Sequence, residues 1–409
     1  MKTKSIVAIL LCSLLLFGAC AAPTSPQAVP TQVVSTEDVV VPPEASAGMQ
    51  PTPEPSESAA EPVTEEAPVL DFSLYEDRAK EILADMTTQE KAAQMFFARC
   101  PETDAAELQK QFQFGGYILF KRDFEDKTKA DVQDNIESYQ DAAKIPMLIG
   151  VDEEGGSVTR LSRFEAFRDE PFLSPQELYE QGGFARITED TQEKAALLKG
   201  LGINVNLSPV CDVSTDPDDF IYPRAFGKDA QQTSEYVSTV ITAMNESGMG
   251  SVMKHYPGYG SNTDTHTGIA HDTRSLDTFT NSDFLPFLAG MQAGAPGVLV
   301  NHNIVESMDK ENPASLSGKV HEILREEQGF LGVIMTDDLY MDAIKDEYGA
   351  GKAAVLAVLA GNDMLISSQP EEQLGGVLDA LEEGTIEKET IDAAVTRVLC
   401  WKLSLGLME

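Results

Sequence analysis

The sequence predicts an α/β fold for this chain, a (β/α)8 barrel built as a single domain, and three observations support that prediction. The segment from Asp71 to Glu409, about 340 residues, is long enough for one large domain. Within it, eight short apolar runs alternate with amphipathic stretches, as strands and helices do around a parallel sheet. Polar side chains directly follow several of these runs, where the carboxyl ends of the strands would lie.

The first twenty residues have the composition of an export signal. Lys2 and Lys4 precede an apolar stretch that is too short to cross a bilayer comfortably, and residues 17–20 read FGAC. This ending resembles a bacterial lipoprotein signal, in which the cysteine becomes the lipidated N-terminus after cleavage; an ordinary cleaved signal peptide is the alternative. In both cases we expect export, and with lipid on Cys20 we expect a protein anchored to the outer face of the cell membrane.

Residues 21–70 are predicted to form a disordered tether. They contain ten prolines and eight acidic residues, with no Lys or Arg. Such a segment buries too little apolar surface to offset the conformational entropy lost on folding. We therefore expect residues 71–409 to form the folded domain, with the tether holding it away from a membrane.

Charge and cysteine content exclude several classes of site. The formal net charge of −37 argues against nucleic acid as a partner, because phosphate binding needs clustered Lys and Arg. Cys100, Cys211 and Cys400 are widely spaced in apolar surroundings, so we expect buried thiols and no zinc site. The acidic DPDD stretch at 216–219 lacks the spacing of a calcium loop. We expect neither a metal nor a cofactor.

The folded part contains a regular series of candidate strands. Amphipathic stretches such as 185–202 and 233–248 lie between them. A doubly wound open sheet is the alternative, but no Gly-rich dinucleotide fingerprint follows the first strand. The runs are AAQMFFA (92–98), GGYILF (115–120), MLIGVD (147–152), NVNLSPV (204–210), VMKHY (252–256), GVLVNH (297–302), VIMTDD (333–338) and DMLISS (363–368).

Charged and amide residues end several of these runs, and histidines cluster beside one of them. Three of the five histidines lie in the Gly-, Pro- and Thr-rich segment 254–272. Because histidine changes charge near neutral pH, this segment is a candidate site, although a solvated loop is the simpler alternative. Parallel strands bring their carboxyl ends together, so these residues should converge. They are Asp152, Asp212, Lys254, His255, Asn301, His302 and Asp337, with His266 and His271 in the loop.

Two further segments contain candidate site residues. In VIMTDDLYMDAI (333–344), Asp337 is the first residue after the strand and should point to the barrel mouth, whereas Asp338 suits the capping of a following helix. In IGVDEEGGSVTRL (149–161), Asp152 ends the strand, the two glycines permit a tight turn or a close backbone approach, and Glu154 with Arg160 suits a structural ion pair.

The polar segment 206–229, which contains Arg224, is too long to be only a connection, so we expect it to serve function.

Taken together, these segments resemble the single-domain β-N-acetylglucosaminidases of glycoside hydrolase family 3. The likeness runs in the same order through nearly all of the folded part. The matching segments are MTTQEKAAQMF (86–96), GGYILF, VDEEGGSVTRL, GINVNLSPVCDV (202–213), PRAFG, KHYPGYG, DTH (264–266), PASLS (313–317), MTDDLYM (335–341), AGNDML (360–365) and RVLCWKLSLGL (397–407).

The resemblance implies a role for each matching residue. Asp337 is implied as the nucleophile, and His266, oriented by Asp264, as the general acid/base. This pair suits a retaining glycosidase, in which one group forms a glycosyl ester and another protonates the leaving oxygen. The residues implied to bind a terminal N-acetylglucosamine are Asp152, Arg160, Arg224, Lys254 and His255.

Together with the export expected from the N-terminus, the resemblance implies an exported enzyme acting on a carbohydrate, with peptidoglycan fragments as the expected substrate. Tyr256, Tyr259 and Ser157 depart from the family pattern, and none of them removes the nucleophile or the acid/base. Two alternatives remain at this point. Phosphate could replace water, because a histidine acid/base has no fixed negative charge to repel it. The chain could also be a tethered sugar-binding lipoprotein without activity.

Overall fold

The computed structural model describes residues 71–261 and 270–409. The predicted signal, Cys20 and the tether lie outside these residues, and so do Asp264 and His266. The predicted boundaries of the signal and tether, and the roles of these residues, therefore stay predictions.

Within the described residues, eight parallel strands form one sheet in the order β10-β1-β2-β3-β4-β5-β7-β9. The two end strands are joined by a bridge between Met335 and Met364, and the backbone N–H groups of Asp363 and Met364 donate to the Ile334 carbonyl at 2.8 and 3.1 Å. The sheet is thus closed, which confirms the predicted barrel over the open sheet. The strands are β1 Phe96–Arg99, β2 Gly116–Leu119, β3 Leu148–Val151, β4 Val205–Asn206, β5 Gly250–Tyr256, β7 Gly297–Val300, β9 Val333–Thr336 and β10 Leu365–Ser367.

Each of these strands overlaps one of the eight predicted apolar runs, although β1 extends one residue past its run, to Arg99, and β5 begins two residues before its run, at Gly250. The strands are buried on both faces because helices cover the outside of the barrel and side chains fill its inside. Gly150 shows how tightly the inside is packed, since a Cβ there would lie 2.4 Å from the Phe97 ring. The interior cluster contains Phe97, Ile118, Leu148, Val205, Leu207, Val252, Leu299, Val333, Met335, Met364 and Ile366.

Two very short strands form a separate pair that the sequence did not predict. β6 (His271–Asp272) and β8 (Ile304–Val305) pair in parallel, with His271 opposite Ile304. Each follows a barrel strand, β5 or β7, so the pair lies beyond their carboxyl ends. Two residues are too few to show an alternating hydrophobic pattern.

Thirteen helices of the described residues surround the sheet. Capping boxes begin three of them, α2, α4 and α5, where Thr87, Thr128 and Ser174 each exchange hydrogen bonds with an acidic residue three positions later. No helix in 71–261 or 270–409 is long and apolar enough to span a bilayer. The helices are α1 Glu76–Ala84, α2 Thr88–Gln94, α3 Ala105–Phe112, α4 Lys129–Ala142, α5 Pro175–Gly200, α6 Ala230–Glu246, α7 Leu276–Thr278, α8 Phe284–Gln292, α9 Gly318–Glu322, α10 Asp342–Tyr348, α11 Ala350–Ala360, α12 Pro370–Glu382 and α13 Lys388–Ser404.

Helix α13 closes the amino end of the barrel. Its Val398 and Trp401 belong to the interior cluster, and a Cβ on Gly250, the first residue of β5, would lie 3.1 Å from the Trp401 ring. Lys402, the next residue, donates to Gln94 just before β1 at 2.6 Å. One end of the barrel is therefore plugged, and the opposite end is left for the site.

Candidate active site

Strand alternation selects the residues that line the open end of the barrel. Residues two positions apart on a strand share a face, so the residue two positions after each interior apolar side chain lies in the next layer toward the carboxyl end. This layer contains Arg99, Phe120, Lys254, Asn301, Asp337 and Ser368, and also Asp152, which lies two positions after Gly150, a glycine that faces the interior. We call it the mouth layer.

Lys254 is the centre of the ion pairs at the mouth. Its Nζ lies 2.7 Å from Asp152 Oδ1 and 2.6 Å from Glu154 Oε1, and its side chain is 2% exposed. Arg160 Nη2 contacts the other oxygen of Asp152 at 3.3 Å. A buried cation is tolerated only where carboxylates and hydrogen bonds compensate its lost hydration, and both are present here.

Glu154 connects this group to Arg224 and His255. Arg224 donates to both Glu154 oxygens at 3.0 and 2.8 Å, and its Nη2 lies 3.0 Å from His255 Nε2. Burial alone would raise the pKa of Glu154, but the Arg224 and Lys254 cations outweigh it and hold that pKa well below its usual range. Glu154 is therefore an ionised acceptor. The expected Glu154–Arg160 pair is wrong, since Arg160 binds Asp152 instead.

Asp212 orients the His255 ring. Its Oδ2 lies 2.8 Å from His255 Nδ1 and also accepts the His255 backbone N–H at 3.2 Å. Its Oδ1 accepts the Tyr259 backbone N–H at 2.7 Å. With Nδ1 directed to a carboxylate, the tautomer that bears its proton there leaves Nε2 toward Arg224 and the mouth. The sequence indicated Asp212 only as one of the converging residues.

A buried carboxylate shapes the loop that carries Arg160. Glu153 accepts the backbone N–H groups of Arg160 and Leu161 at 2.8 and 3.0 Å and the Ser162 hydroxyl. A Cβ on Gly155, whose φ is 101°, would lie 2.1 Å from a backbone carbonyl oxygen. The predicted close backbone approach at the diglycine is confirmed, and it brings Arg160 back over Asp152.

Asp337 and Asp338 have different surroundings. Asp337 Oδ1 accepts the Asp338 N–H at 2.8 Å, and its Oδ2 accepts no hydrogen bond from the described residues. Asp338 accepts the N–H groups of Tyr340 and Ser368 at 3.0 and 3.1 Å and the Ser368 hydroxyl. Asp338 thus ties the turn after β9 to β10, and α10 begins only at Asp342. Asp337 is the carboxylate of the two that keeps an oxygen for a ligand.

Asn301 and His302 form hydrogen bonds that connect neighbouring strand ends at the mouth. The Asn301 amide donates to the His255 carbonyl oxygen at 3.1 Å. The buried His302 ring contacts Ser315 Oγ at 2.7 Å through Nδ1 and the Asp338 carbonyl oxygen at 3.1 Å through Nε2. These contacts link the carboxyl ends of β5, β7 and β9.

Arg274 joins the two chain segments that flank residues 262–269. Its Nη2 donates to the Gly258 carbonyl oxygen at 3.0 Å and to Asp272 at 2.7 Å, and its Nη1 lies 2.8 Å from Asp283. Burial raises the pKa of Asp283 to about 6, although Arg274 opposes the shift. Arg274 was not predicted from the sequence, where its only signal is its position just after the histidine-rich segment.

The described residues contain no group of three or more His, Cys, Asp or Glu side chains arranged to hold a metal ion. Cys100, Cys211 and Cys400 are buried free thiols, as predicted. Of the eight predicted catalytic and sugar-binding residues, the structure brings Asp152, Arg160, Arg224, Lys254 and His255 into one ion-paired network and places Asp337 in the same mouth layer. Asp264 and His266 lie outside the described residues.

Comparison with known proteins agrees with this arrangement. A beta-hexosaminidase of Xanthomonas campestris pv. campestris is 33% identical over 261 residues, which cover 63% of this chain and 77% of that protein. Beta-hexosaminidase LpqI of Mycobacterium bovis is 29% identical over 372 residues, covering 87% of this chain and 93% of the relative.

Solved structures show the same similarity. A glycoside hydrolase family 3 beta-N-acetylglucosaminidase from Paenibacillus sp. superimposes with a TM-score of 0.74 at 28% identity, covering 79% of this chain. The chain spans 63% of the length of that structure. LpqI of M. tuberculosis superimposes with a TM-score of 0.71 at 26% identity, covering 78% of this chain and 95% of the other.

The model of the glycosyl hydrolase family 3 N terminal domain matches residues 87–400, which is most of the chain and includes every described mouth residue. The chain is therefore a glycoside hydrolase and belongs to glycosyl hydrolase family 3.

Proposed function

We propose that the protein is an exported, retaining exo-β-N-acetylglucosaminidase that removes terminal N-acetylglucosamine from peptidoglycan fragments. The observation that supports this most is the Lys254-centred network, which lies at the same end of the barrel as Asp337. The relatives named beta-hexosaminidase and the Paenibacillus beta-N-acetylglucosaminidase support the same sugar.

The network suits an uncharged sugar. Asp152, Glu154 and Asp212 are each already held by a cation or a histidine, so the mouth presents balanced donors and acceptors. Sugar hydroxyl groups both donate and accept hydrogen bonds, and they can be matched by such alternating partners. We assign Asp152, Arg160, Arg224, Lys254 and His255 to binding of the N-acetylglucosamine ring.

The proposed reaction proceeds in two displacements. Asp337 attacks the anomeric carbon to form a glycosyl ester while His266 gives its proton to the leaving oxygen. His266 then takes a proton from water, which attacks the same carbon and releases Asp337 and N-acetylglucosamine. Asp264 is assigned to hold the His266 ring in the required tautomer, as a carboxylate does in hydrolase triads.

The proposed location follows from the N-terminal sequence. A lipidated Cys20 would anchor the chain, and residues 21–70 would hold the enzyme away from the membrane, within reach of wall fragments. Membrane fractionation tests this part. Wild type should sediment with membranes and Cys20→Ser should not, whereas intact wild type found wholly in the culture fluid would contradict the anchor.

The test of the mechanism is His266→Ala, assayed on two kinds of leaving group. Natural disaccharides need protonation of a poor leaving group, so their turnover should fall strongly. An activated aryl glycoside needs little protonation, so it should give a burst of aryl product, after which azide should restore turnover. Equal impairment of both substrates without rescue by azide would show that His266 binds or supports instead.

Product analysis completes the test. Reactions with and without inorganic phosphate, followed by NMR, should give free N-acetylglucosamine with retained configuration in both cases. A phosphate-dependent glycosyl phosphate would show phosphorolysis, and a wild type that cleaves no N-acetyl-β-glucosaminide would show a binding protein.

A further inference from the structure

Arg99 is a mouth residue that the proposed chemistry does not use. It is the last residue of β1 and shares the interior face with Phe97, so it belongs to the mouth layer. Along the closed sheet, β10, β1 and β2 lie between the strand of Asp337 and the strand of Asp152. The mouth residues of these three strands are Ser368, Arg99 and Phe120, and Arg99 is the cation among them.

The Arg99 guanidinium is held in place without an acidic contact. Its Cζ lies 4.6 Å from the centre of the Phe120 ring, the distance of a cation–π contact. Its Nε is buried without a hydrogen-bond partner, and no carboxylate of the described residues lies within ion-pair distance of it. Burial raises the pKa of Asp123, and the charges of Arg122 and Arg99 oppose this shift. The Asp123 carboxylate is not a partner of Arg99, however: it accepts the Phe120 N–H at 2.7 Å and lies 3.8 Å from Arg122.

The other cations of the mouth differ from Arg99 in this respect. Lys254, Arg160 and Arg224 each contact at least one carboxylate within 3.3 Å. The chain has 67 acidic residues against 30 Lys and Arg, so acidic partners are abundant. The charge of Arg99 is therefore left available to a ligand at the edge of the sugar-binding network, where Arg160 lies 5.5 Å from the centre of the same Phe120 ring.

We propose that Arg99 binds the carboxylate of an anionic leaving sugar and thereby favours N-acetylmuramic acid over a neutral sugar as the leaving group. This inference rests on the proposed function. The lactyl ether of N-acetylmuramic acid is a carboxylate at neutral pH, and the planar fork of arginine matches a carboxylate with two parallel hydrogen bonds. Phe120 fixes the plane of the guanidinium, which lowers the entropy lost when those bonds form.

The experiment compares two disaccharides that differ in the lactyl group. With the full-length chain, kcat/KM is measured for N-acetylglucosaminyl-β-1,4-N-acetylmuramic acid and for N,N′-diacetylchitobiose. In Arg99→Met the ratio of the two constants should fall about tenfold to hundredfold, the worth of a charge-assisted hydrogen bond. Arg99→Lys keeps the charge but not the fork, so it should restore part of the ratio.

Arg122→Met is the matched control, because Arg122 is the neighbouring arginine but is paired with Glu102 at 2.6 Å. It should leave the ratio of the two constants unchanged. Equal losses on both disaccharides in Arg99→Met, or a loss confined to phosphate-dependent turnover, would overturn the proposal. If wild type cleaves both disaccharides and the ratio of the two constants is the same in Arg99→Met as in wild type, the proposed function stands and this inference fails. A wild type that cleaves neither disaccharide would refute both.

Discussion

The two ends of the barrel each bury a lysine, and they treat it in opposite ways. At the carboxyl end, Lys254 contacts two carboxylates and belongs to a network with Arg160 and Arg224. At the amino end, Lys402 is fully buried and donates to the neutral Gln94 amide. Burial lowers the pKa of Lys402 to about 7.

The difference shows which end serves chemistry. At the mouth, the buried charges are compensated by partners at the ends of β3 and β5 and on the loop with Arg224. These contacts fix the positions of the charged side chains for a ligand. The amino end is closed by apolar side chains such as Val398 and Trp401 and contributes packing. Substitutions at the mouth should therefore change turnover, with a loss of stability where they break the network, whereas substitutions at the plug should change stability alone.

The largest expected effect on activity comes from Asp337, the proposed nucleophile, which lies in the mouth next to the structural carboxylate of Asp338. Asp337→Asn keeps the acceptor for the Asp338 N–H but cannot form a glycosyl ester, so kcat should fall by a factor on the order of 10⁴ or more. The melting temperature should stay nearly constant. Turnover of an aryl N-acetyl-β-glucosaminide and thermal unfolding measure both.

Asp338→Asn is the matched variant for this prediction. It weakens the tie between the β9 turn and Ser368, so it should lower the melting temperature and cost less activity than Asp337→Asn. The reverse order of the two activity losses would contradict the assignment of Asp337.

The second prediction breaks the ion-paired network. Glu154→Gln leaves Lys254 and Arg224 with one carboxylate fewer in a buried site, which should cost about 3–5 kcal/mol of stability. We also expect kcat/KM to fall by about 10–1,000-fold, because Arg224 and Lys254 lose their fixed positions. Steady-state kinetics and chemical unfolding test both parts.

The pH dependence of this variant has a definite sign. The folded-state pKa of Glu154 is depressed, so its contribution to stability is complete above about 4.5 and is lost as the pH falls below that value. The difference in melting temperature between wild type and Glu154→Gln should therefore be largest near neutrality and shrink in acid. A difference that grows in acid would show that Glu154 is protonated in the folded protein.

The smallest expected effect on activity comes from the plug. Lys402→Met removes a buried amine and should raise stability at pH 6 by about 1–3 kcal/mol, after the cost of leaving Gln94 without its donor. The folded-state pKa is depressed, so the unfolded chain binds the extra proton between pH 7 and 10.5, and wild type gains stability as the pH rises through that window.

The higher stability of Lys402→Met should accordingly vanish toward pH 10. Because position 402 is remote from the mouth, kcat should stay within about twofold of wild type at every pH. Unfolding curves at several pH values measure this. A variant that loses turnover in proportion to stability would remove the distinction between the two ends.

Much of the mouth could be predicted because strand alternation is local. An apolar run followed by Asp152, Lys254 or Asp337 places each side chain at the carboxyl end without any knowledge of its neighbours. Partners could not be predicted in this way. Glu154 lies 70 residues from Arg224, and Asp212 lies 43 residues from His255, so only the closed sheet brings them together.

The error at Glu154 and Arg160 has the same origin. Only five residues separate Glu154 from Arg160, which suggested a local pair. The turn held by Glu153 instead directs Arg160 back to Asp152, and the Arg224 loop supplies the partner of Glu154. Arg99 could not be predicted as a site residue, because a sequence does not show that a cation lacks an acidic contact.

The most direct test of Asp337 as the nucleophile is to trap the glycosyl-enzyme. Wild type is incubated with a mechanism-based fluorinated N-acetylglucosamine donor, digested and analysed by tandem mass spectrometry, with Asp337→Asn as the unlabelled control. We expect one sugar attached to the carboxylate of Asp337. A sugar on Asp338, or on any carboxylate of the Lys254 network, would contradict this assignment.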